Sequence, residues 1–211
     1  MKVLLVNGSP NKEGCTNRAL REITDTLEKE NIETEIMWLG RKPISGCTAC
    51  RACQKLGTCV IKDVVCEFLV AARDADGFIF GSPVHYAGAS GSMTSFLDRV
   101  FYAEMAGNGN KSLYLKPGAA VVSARRGGTT AAFDQLNKYF TIQEMPVISS
   151  RYWNMVHGNT PEEVEQDLEG LYVMRVLARN MAYHLRCKEA AEKAGVARPE
   201  EEARVITNFI R

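Results

Sequence analysis

Apolar residues fall along the chain in short, nearly unbroken runs, separated by longer stretches in which they recur every three or four positions. The runs are residues 2–6 (KVLLV), 35–39 (EIMWL), 77–80 (GFIF), 119–123 (AAVVS) and 146–148 (PVI). Runs that stay apolar on successive positions suit strands covered on both faces, as in a parallel sheet. Between the first two, Leu20, Ile23 and Leu27 keep helical spacing, and between the third and fourth Met93, Phe96, Leu97 and Val100 do the same. A further helix is expected over residues 129–140. Thr160-Pro161-Glu162-Glu163 forms a capping box with proline at the first helical position. Val164, Leu168, Leu171, Met174, Ala178, Met181 and Leu185 follow at steps of four and three, which predicts one long helix with a buried face.

Strands alternating with helices predict an α/β fold. The expected architecture is a flavodoxin-like three-layer αβα sandwich, its five-stranded parallel sheet in the order 2-1-3-4-5. At 211 residues the chain suits one domain. That domain is placed at residues 1–195, with a cysteine-rich insertion at about 45–60 and a tail over 196–211. Ligands of such sheets sit at the carboxyl ends of the strands. Chemistry is therefore expected just after Val6, Phe80 and Ser123.

Charge adds exclusions. With 26 basic against 25 acidic residues, a net charge of +1 argues against a nucleic-acid surface or a polybasic membrane patch. MKVLLVNGSP is too short an apolar start for a secretory segment, so a cytoplasmic protein is expected. Seven cysteines, an odd number with four bunched together, fit a reducing compartment. His85, His157 and His184 lie on separate elements, and none accompanies a nucleophile in a pattern that supports hydrolysis.

Three loops follow the strands. The first, residues 7–17, is rich in hydroxyl and amide side chains and opens a helix. Its N–H groups and dipole suit a phosphate monoester, or else it is an ordinary capped turn. It has neither GxxxxGK[ST] nor GxGxxG, so it is no triphosphate loop and lacks the usual dinucleotide fingerprint. The second, residues 81–91, is stiffened by Pro83 and offers the Tyr86 ring and the His85 edge to a flat ligand. The third, residues 123–129, carries Arg125 and Arg126 before Gly127 and Gly128; it is either an anion contact or a solvated basic turn.

On VNGSPNKEGCTNRAL, FGSPVHYAGASGSMTSFLDR and VVSARRGGTTAAFDQL, the chain resembles the NADPH-dependent FMN reductase family of flavodoxin-like flavoproteins, including its iron–sulfur flavoprotein branch. The resemblance implies that Ser9, Asn11, Cys15, Thr16 and Asn17 hold the FMN phosphate. Pro83, Val84, His85, Tyr86 and Gly88 would line the isoalloxazine, and Ser123, Arg126, Gly127 and Gly128 would form a third flavin loop. Cys15 departs from the small polar residue common at its position, leaving its backbone N–H as the expected contact. The resemblance also implies a homodimer or homotetramer, and catalysis carried by the flavin rather than by side chains.

Cys47, Cys50, Cys53 and Cys59 form C-x2-C-x2-C-x5-C. Thiolates suit [4Fe–4S] clusters and structural zinc, and equally these thiols pack as small apolar groups. The order resembles the compact cysteine motif of iron–sulfur flavoproteins. It matches the bacterial ferredoxin run only in part, having five residues before the last cysteine and Val60 after it. The leading expectation is an FMN-dependent oxidoreductase that takes hydride from NADH or NADPH and reduces a flavin, quinone or similar small acceptor. The alternative is an electron carrier whose four cysteines hold a [4Fe–4S] cluster and which docks ferredoxin. A zinc-stapled interaction module stands third.

Overall fold

The computed structural model describes residues 1–211 apart from 110, 201, 204, 210 and 211. Its elements run β1 (Lys2–Asn7), α1 (Cys15–Lys29), β2 (Glu33–Trp38), α2 (Cys53–Leu56), α3 (Val64–Ala71), β3 (Gly77–His85), β4 (Gly88–Ala89) and α4 (Gly91–Gly107). Then follow β5 (Gly118–Ala124), α5 (Thr129–Ile142), β6 (Met155–His157), α6 (Pro161–Val164) and α7 (Leu168–Lys193). The parallel strands lie in the order β2-β1-β3-β5-β6, with β4 antiparallel beside β3. Counted along the chain, the parallel strands alone are 2-1-3-4-5, the order expected from the hydrophobic pattern.

The strands are apolar on both faces because both faces are covered. Leu4, Val6, Phe78, Phe80 and Val122 turn to one core, packed with Phe68 and Phe96 from α3 and α4. Val3, Leu5, Ile79 and Val121 turn to the other, with Leu20, Ile23, Met174 and Leu177 from α1 and α7. Each fully buried Phe or Leu contributes about 1.5–3 kcal/mol. Among the described residues no helix is long and apolar enough to cross a membrane. The described part of residues 196–211 has no helix or strand.

Three expectations need correction. The fifth strand is Met155–His157, not residues 146–148. The latter segment touches the sheet edge at one point, exchanging bonds of 2.9 Å between Gly118 and the backbone of Pro146 and Ile148. The chain then bows outward and regains the edge at Asn154, whose buried amide donates to the Ala120 carbonyl (3.0 Å) where the ladder is interrupted. The final helix is also divided. Thr160 caps the single turn of α6, and Asp167 starts α7 by accepting the Gly170 N–H at 2.9 Å. Leu168 accordingly lies exposed at the start of α7, outside the buried stripe of Leu171, Met174, Ala178, Met181 and Leu185. Finally, β3 turns back into β4 through Tyr86 and Ala87, both left-handed at φ +49° and +59°.

Candidate functional site

Four loops meet at the carboxyl edge of the sheet around a cleft of about 340 Å3, within the range of small-ligand pockets. The first is folded by its own side chains. Asn7 Oδ1 accepts the Ser9 N–H (3.0 Å), its Nδ2 donates to the Lys12 carbonyl (3.0 Å), and Ser9 Oγ accepts the Asn11 N–H (3.1 Å). Trp38, at the end of β2, donates from Nε1 to the Ser9 carbonyl at 2.8 Å. This brings the N-terminus of α1 to the cleft with no side-chain cap and no acidic residue in its first turn. Its first amides and positive dipole end are thus free for an anion.

Ser9, Asn11, Cys15 and Thr16 line the cleft. Asn17 is turned away: its amide donates to Glu13 at 3.0 Å. Thr16 Oγ1 and Ser123 Oγ are hydrogen-bonded at 2.7 Å, joining the first loop to the end of β5. The Cys15 side chain donates to the Gly158 carbonyl (3.5 Å), and burial pushes its thiol up. It is a neutral tie between loops.

The second loop supplies Pro83, Val84 and His85 to the cleft wall. Ser90 locks it to the first: its N–H donates to Ser82 Oγ (2.9 Å), its hydroxyl donates to the Gly8 carbonyl (3.0 Å), and it caps α4. Tyr86 stands fully exposed at the hairpin tip, and Gly88 pairs with His85 in β4. Both lie outside the cleft wall, as do Arg126, Gly127 and Gly128; of the residues expected on the third loop only Ser123 lines it, and Arg125 joins it there. Gly128 has φ +94°, and a Cβ there would stand 2.7 Å from Ala87 Cα. Its bare backbone is what lets the second and third loops touch. The fourth loop, Gly158 to Pro161, follows β6 and closes the cleft. The apolar runs do not point to it, because PVI reads as the fifth strand; the strand-end rule applied to MVH finds it.

The four clustered cysteines come together elsewhere. Cys47, Cys50, Cys53 and Cys59 line one narrow cavity of about 20 Å3 against α4, with Val60, Ile61, Tyr102 and Ala103 as apolar neighbours. The segment is not a regular helix: Ala49 and Arg51 are left-handed at φ +53° and +58°, flanking Cys50. Gly107 lets α2 settle on α4, since a Cβ there would meet the Cys53 carbonyl at 2.4 Å. Cys53 is buried, and burial together with the neighbouring thiols pushes it up, whereas the Ala52 N–H and Thr48 hydroxyl hold the exposed Cys50 thiol down. Among the described residues no three His, Cys, Asp or Glu side chains gather tightly enough to hold a single metal ion.

Two residues here escaped the sequence reading. Arg99, 2% exposed, reaches from α4 into the cysteine segment and pairs with Asp63 through its two terminal guanidinium nitrogens, at 2.6 and 2.9 Å. Asp63 also caps α3 by accepting the Val65 N–H at 3.1 Å. The signal was an arginine on the same helical face as Phe96 and Val100, since a cation so placed needs a buried partner.

Comparison with known proteins follows the same lines. The family described as NADPH-dependent FMN reductase matches residues 1–160. An iron–sulfur flavoprotein of Methanocaldococcus jannaschii is 33% identical over 189 residues, covering 86% of this chain and 96% of that protein. Among solved structures, a flavodoxin from the domain Archaea aligns with TM-score 0.57 and 16% identity, covering 88% of this chain and 99% of its own. An NAD(P)H:quinone oxidoreductase from Methanothermobacter marburgensis aligns with TM-score 0.64 and 16% identity, covering 86% and 96%. At these identities the two structures establish a shared flavodoxin-like fold.

Proposed function

The chain belongs to the NADPH-dependent FMN reductase family, in its iron–sulfur flavoprotein branch, and from this we propose a flavoprotein oxidoreductase that relays electrons between FMN in the cleft and a [4Fe–4S] cluster on Cys47, Cys50, Cys53 and Cys59. The observation that carries this reading is that all four thiols line one cavity beside α4, the helix that starts from the second cleft loop. From Gly91 to Arg99 that helix rises about 12 Å, so the two sites are near neighbours.

The cleft residues fit FMN. The uncapped amides of α1, with Ser9 and Thr16, receive the 5′-phosphate. Pro83, Val84 and His85 form the wall for the ring, and Tyr86, left-handed and exposed at the hairpin tip outside that wall, is the aromatic side chain this reading assigns to cover it. When bound, the flavin supplies hydride and electron transfer at its ring, and the protein supplies position and hydrogen bonds.

The cysteine donors fit a cluster in kind: four soft thiols, apolar walls and a buried cation beside them. A bound cluster would supply one-electron transfer. The cavity is narrow, and its outer wall is the exposed loop carrying Cys47 and Cys50, so uptake requires that loop to move outward. Ferredoxin is the external partner this reading calls for, and a homodimer or homotetramer the assembly.

A second reading, in which NADH or NADPH reduces the FMN and a small flavin, quinone or related electrophile discharges it, is favoured by the open cleft with Arg125 in its wall and Arg126 exposed beside it. Anaerobic purification with flavin, iron and sulfide analysis tests the proposal. FMN with about four irons and four sulfides per chain supports the relay. FMN without iron, together with NAD(P)H oxidation, supports the second reading. A protein that takes up no FMN sinks both.

A further inference from the structure

We infer that Arg99 is the positioning residue of the thiol site: its guanidinium grips Cys59 through two N–H···S hydrogen bonds and makes a cluster bound there easier to reduce. This rests on the cluster reading above.

Arg99 is buried in the middle of α4, yet every acceptor it meets belongs to residues 45–63. Nε and Nη2 both donate to Cys59 Sγ at 3.3 Å. Nη1 donates to the Ser45 carbonyl at 3.3 Å and Nη2 to the Ile61 carbonyl at 2.9 Å. The two-point pair with Asp63 completes the set. A rigid fork of this kind is what Arg offers and Lys does not. The guanidinium also stays charged at any ordinary pH, so the positive charge beside Sγ is permanent.

Reduction adds negative charge to a cluster, and hydrogen bonds to its sulfurs and the net charge around it set its potential. Arg99 favours the reduced form on both counts. Asp63 works against it, because its carboxylate offsets the same guanidinium. Two substitutions in one ion pair therefore shift the cluster in opposite directions. A purely structural hold predicts the same direction for both, since either loosens the segment.

The test is a dithionite titration of the anaerobically reconstituted full chain, with the reduced cluster followed by electron paramagnetic resonance. Arg99→Gln is expected to weaken the cluster's electron affinity about tenfold, which is about 59 mV for a one-electron couple. Asp63→Asn is expected to strengthen it about threefold or more, and Arg99→Lys to fall between wild type and Arg99→Gln. The FMN potential should stay in place in all three. Should Arg99→Gln fail to assemble, Arg99→Lys and Asp63→Asn still give the two signs. Shifts of one sign, or none, in cluster-loaded variants overturn the inference and leave the cluster reading standing. A wild-type chain that binds no iron and sulfide overturns the cluster reading itself.

Discussion

The cleft at the strand ends and the cavity under the cysteine segment are built on opposite plans, although α4 serves both. The cleft is wide, polar and assembled from backbone: uncapped helix amides, left-handed turns, and a glycine that lets two loops touch. The cavity is narrow, apolar-walled and held by side chains, above all the Arg99–Asp63 pair. A backbone cradle suits a ligand recognised by its phosphate and its flat shape, because N–H groups and dipoles are present whatever side chains surround them. A thiol pocket recognises its group through donor chemistry, so each cysteine counts separately. The contrast teaches that substitutions in one site should leave the other's cofactor in place.

The largest effect expected is at the cysteines. Cys53→Ser removes the one buried thiol of the four and should lower iron and sulfide content at least tenfold, while bound FMN changes by less than about twofold. Joint loss of FMN and iron would break the separation of the two regions. Next is Gly128→Ala, which puts a Cβ against Ala87 at a left-handed position. It should cost about 1–3 kcal/mol of stability and weaken FMN binding about tenfold, with iron retained. Flavin fluorescence titration and a melt measure both quantities.

A smaller and sharper effect concerns the outer loop. If it must move to admit a cluster, amide exchange over residues 47–51 should slow several-fold on loading, while exchange over 81–91 stays as it was. Exchange that is unchanged at both loops would mean that the cavity admits no guest.

The smallest effect is acid dependence on the cleft side. Burial pushes the Glu22 carboxyl up, but hydrogen bonds from Arg175 and Arg18 outweigh it and hold Glu22 below its usual value of 4.5. A carboxylate lowered in the folded state adds stability that is fully present above its unfolded value and lost as pH falls below it. Melts from about pH 7 to about pH 3.5 should therefore show a loss below about pH 4.5 that Glu22→Gln reduces. Because Arg18 also grips Glu165 just after α6, the fourth cleft loop should loosen before the cysteine cavity does.

Much of the cleft was legible beforehand, for a physical reason. Strand ends can be read from apolar runs, and ligands of a doubly wound sheet gather there, so the loops after Val6, Phe80 and Ser123 followed from pattern, while the choice of Ser9, Thr16, Pro83 and Ser123 within them came from the family resemblance. The fourth loop was hidden because PVI is a stronger local signal than MVH, and only pairing with β5 distinguishes them. The hairpin of β4 was hidden because Tyr-Ala lacks the Asn-Gly signature of its turn. The division between α6 and α7 was hidden because the spacing of three and four runs straight through Asp167.

The order of apolar runs by itself determined the first four parallel strands and the edge where their loops would converge, because covering both faces of a strand leaves a continuous local imprint. It also supplied four thiols at close spacing. Only the tertiary structure decided that those thiols share one cavity, and that a buried arginine on a distant helix holds one of them. That outcome rests on Arg99 reaching across 36 positions to Asp63 and 40 to Cys59. A contact of such separation leaves no periodicity in the chain to read.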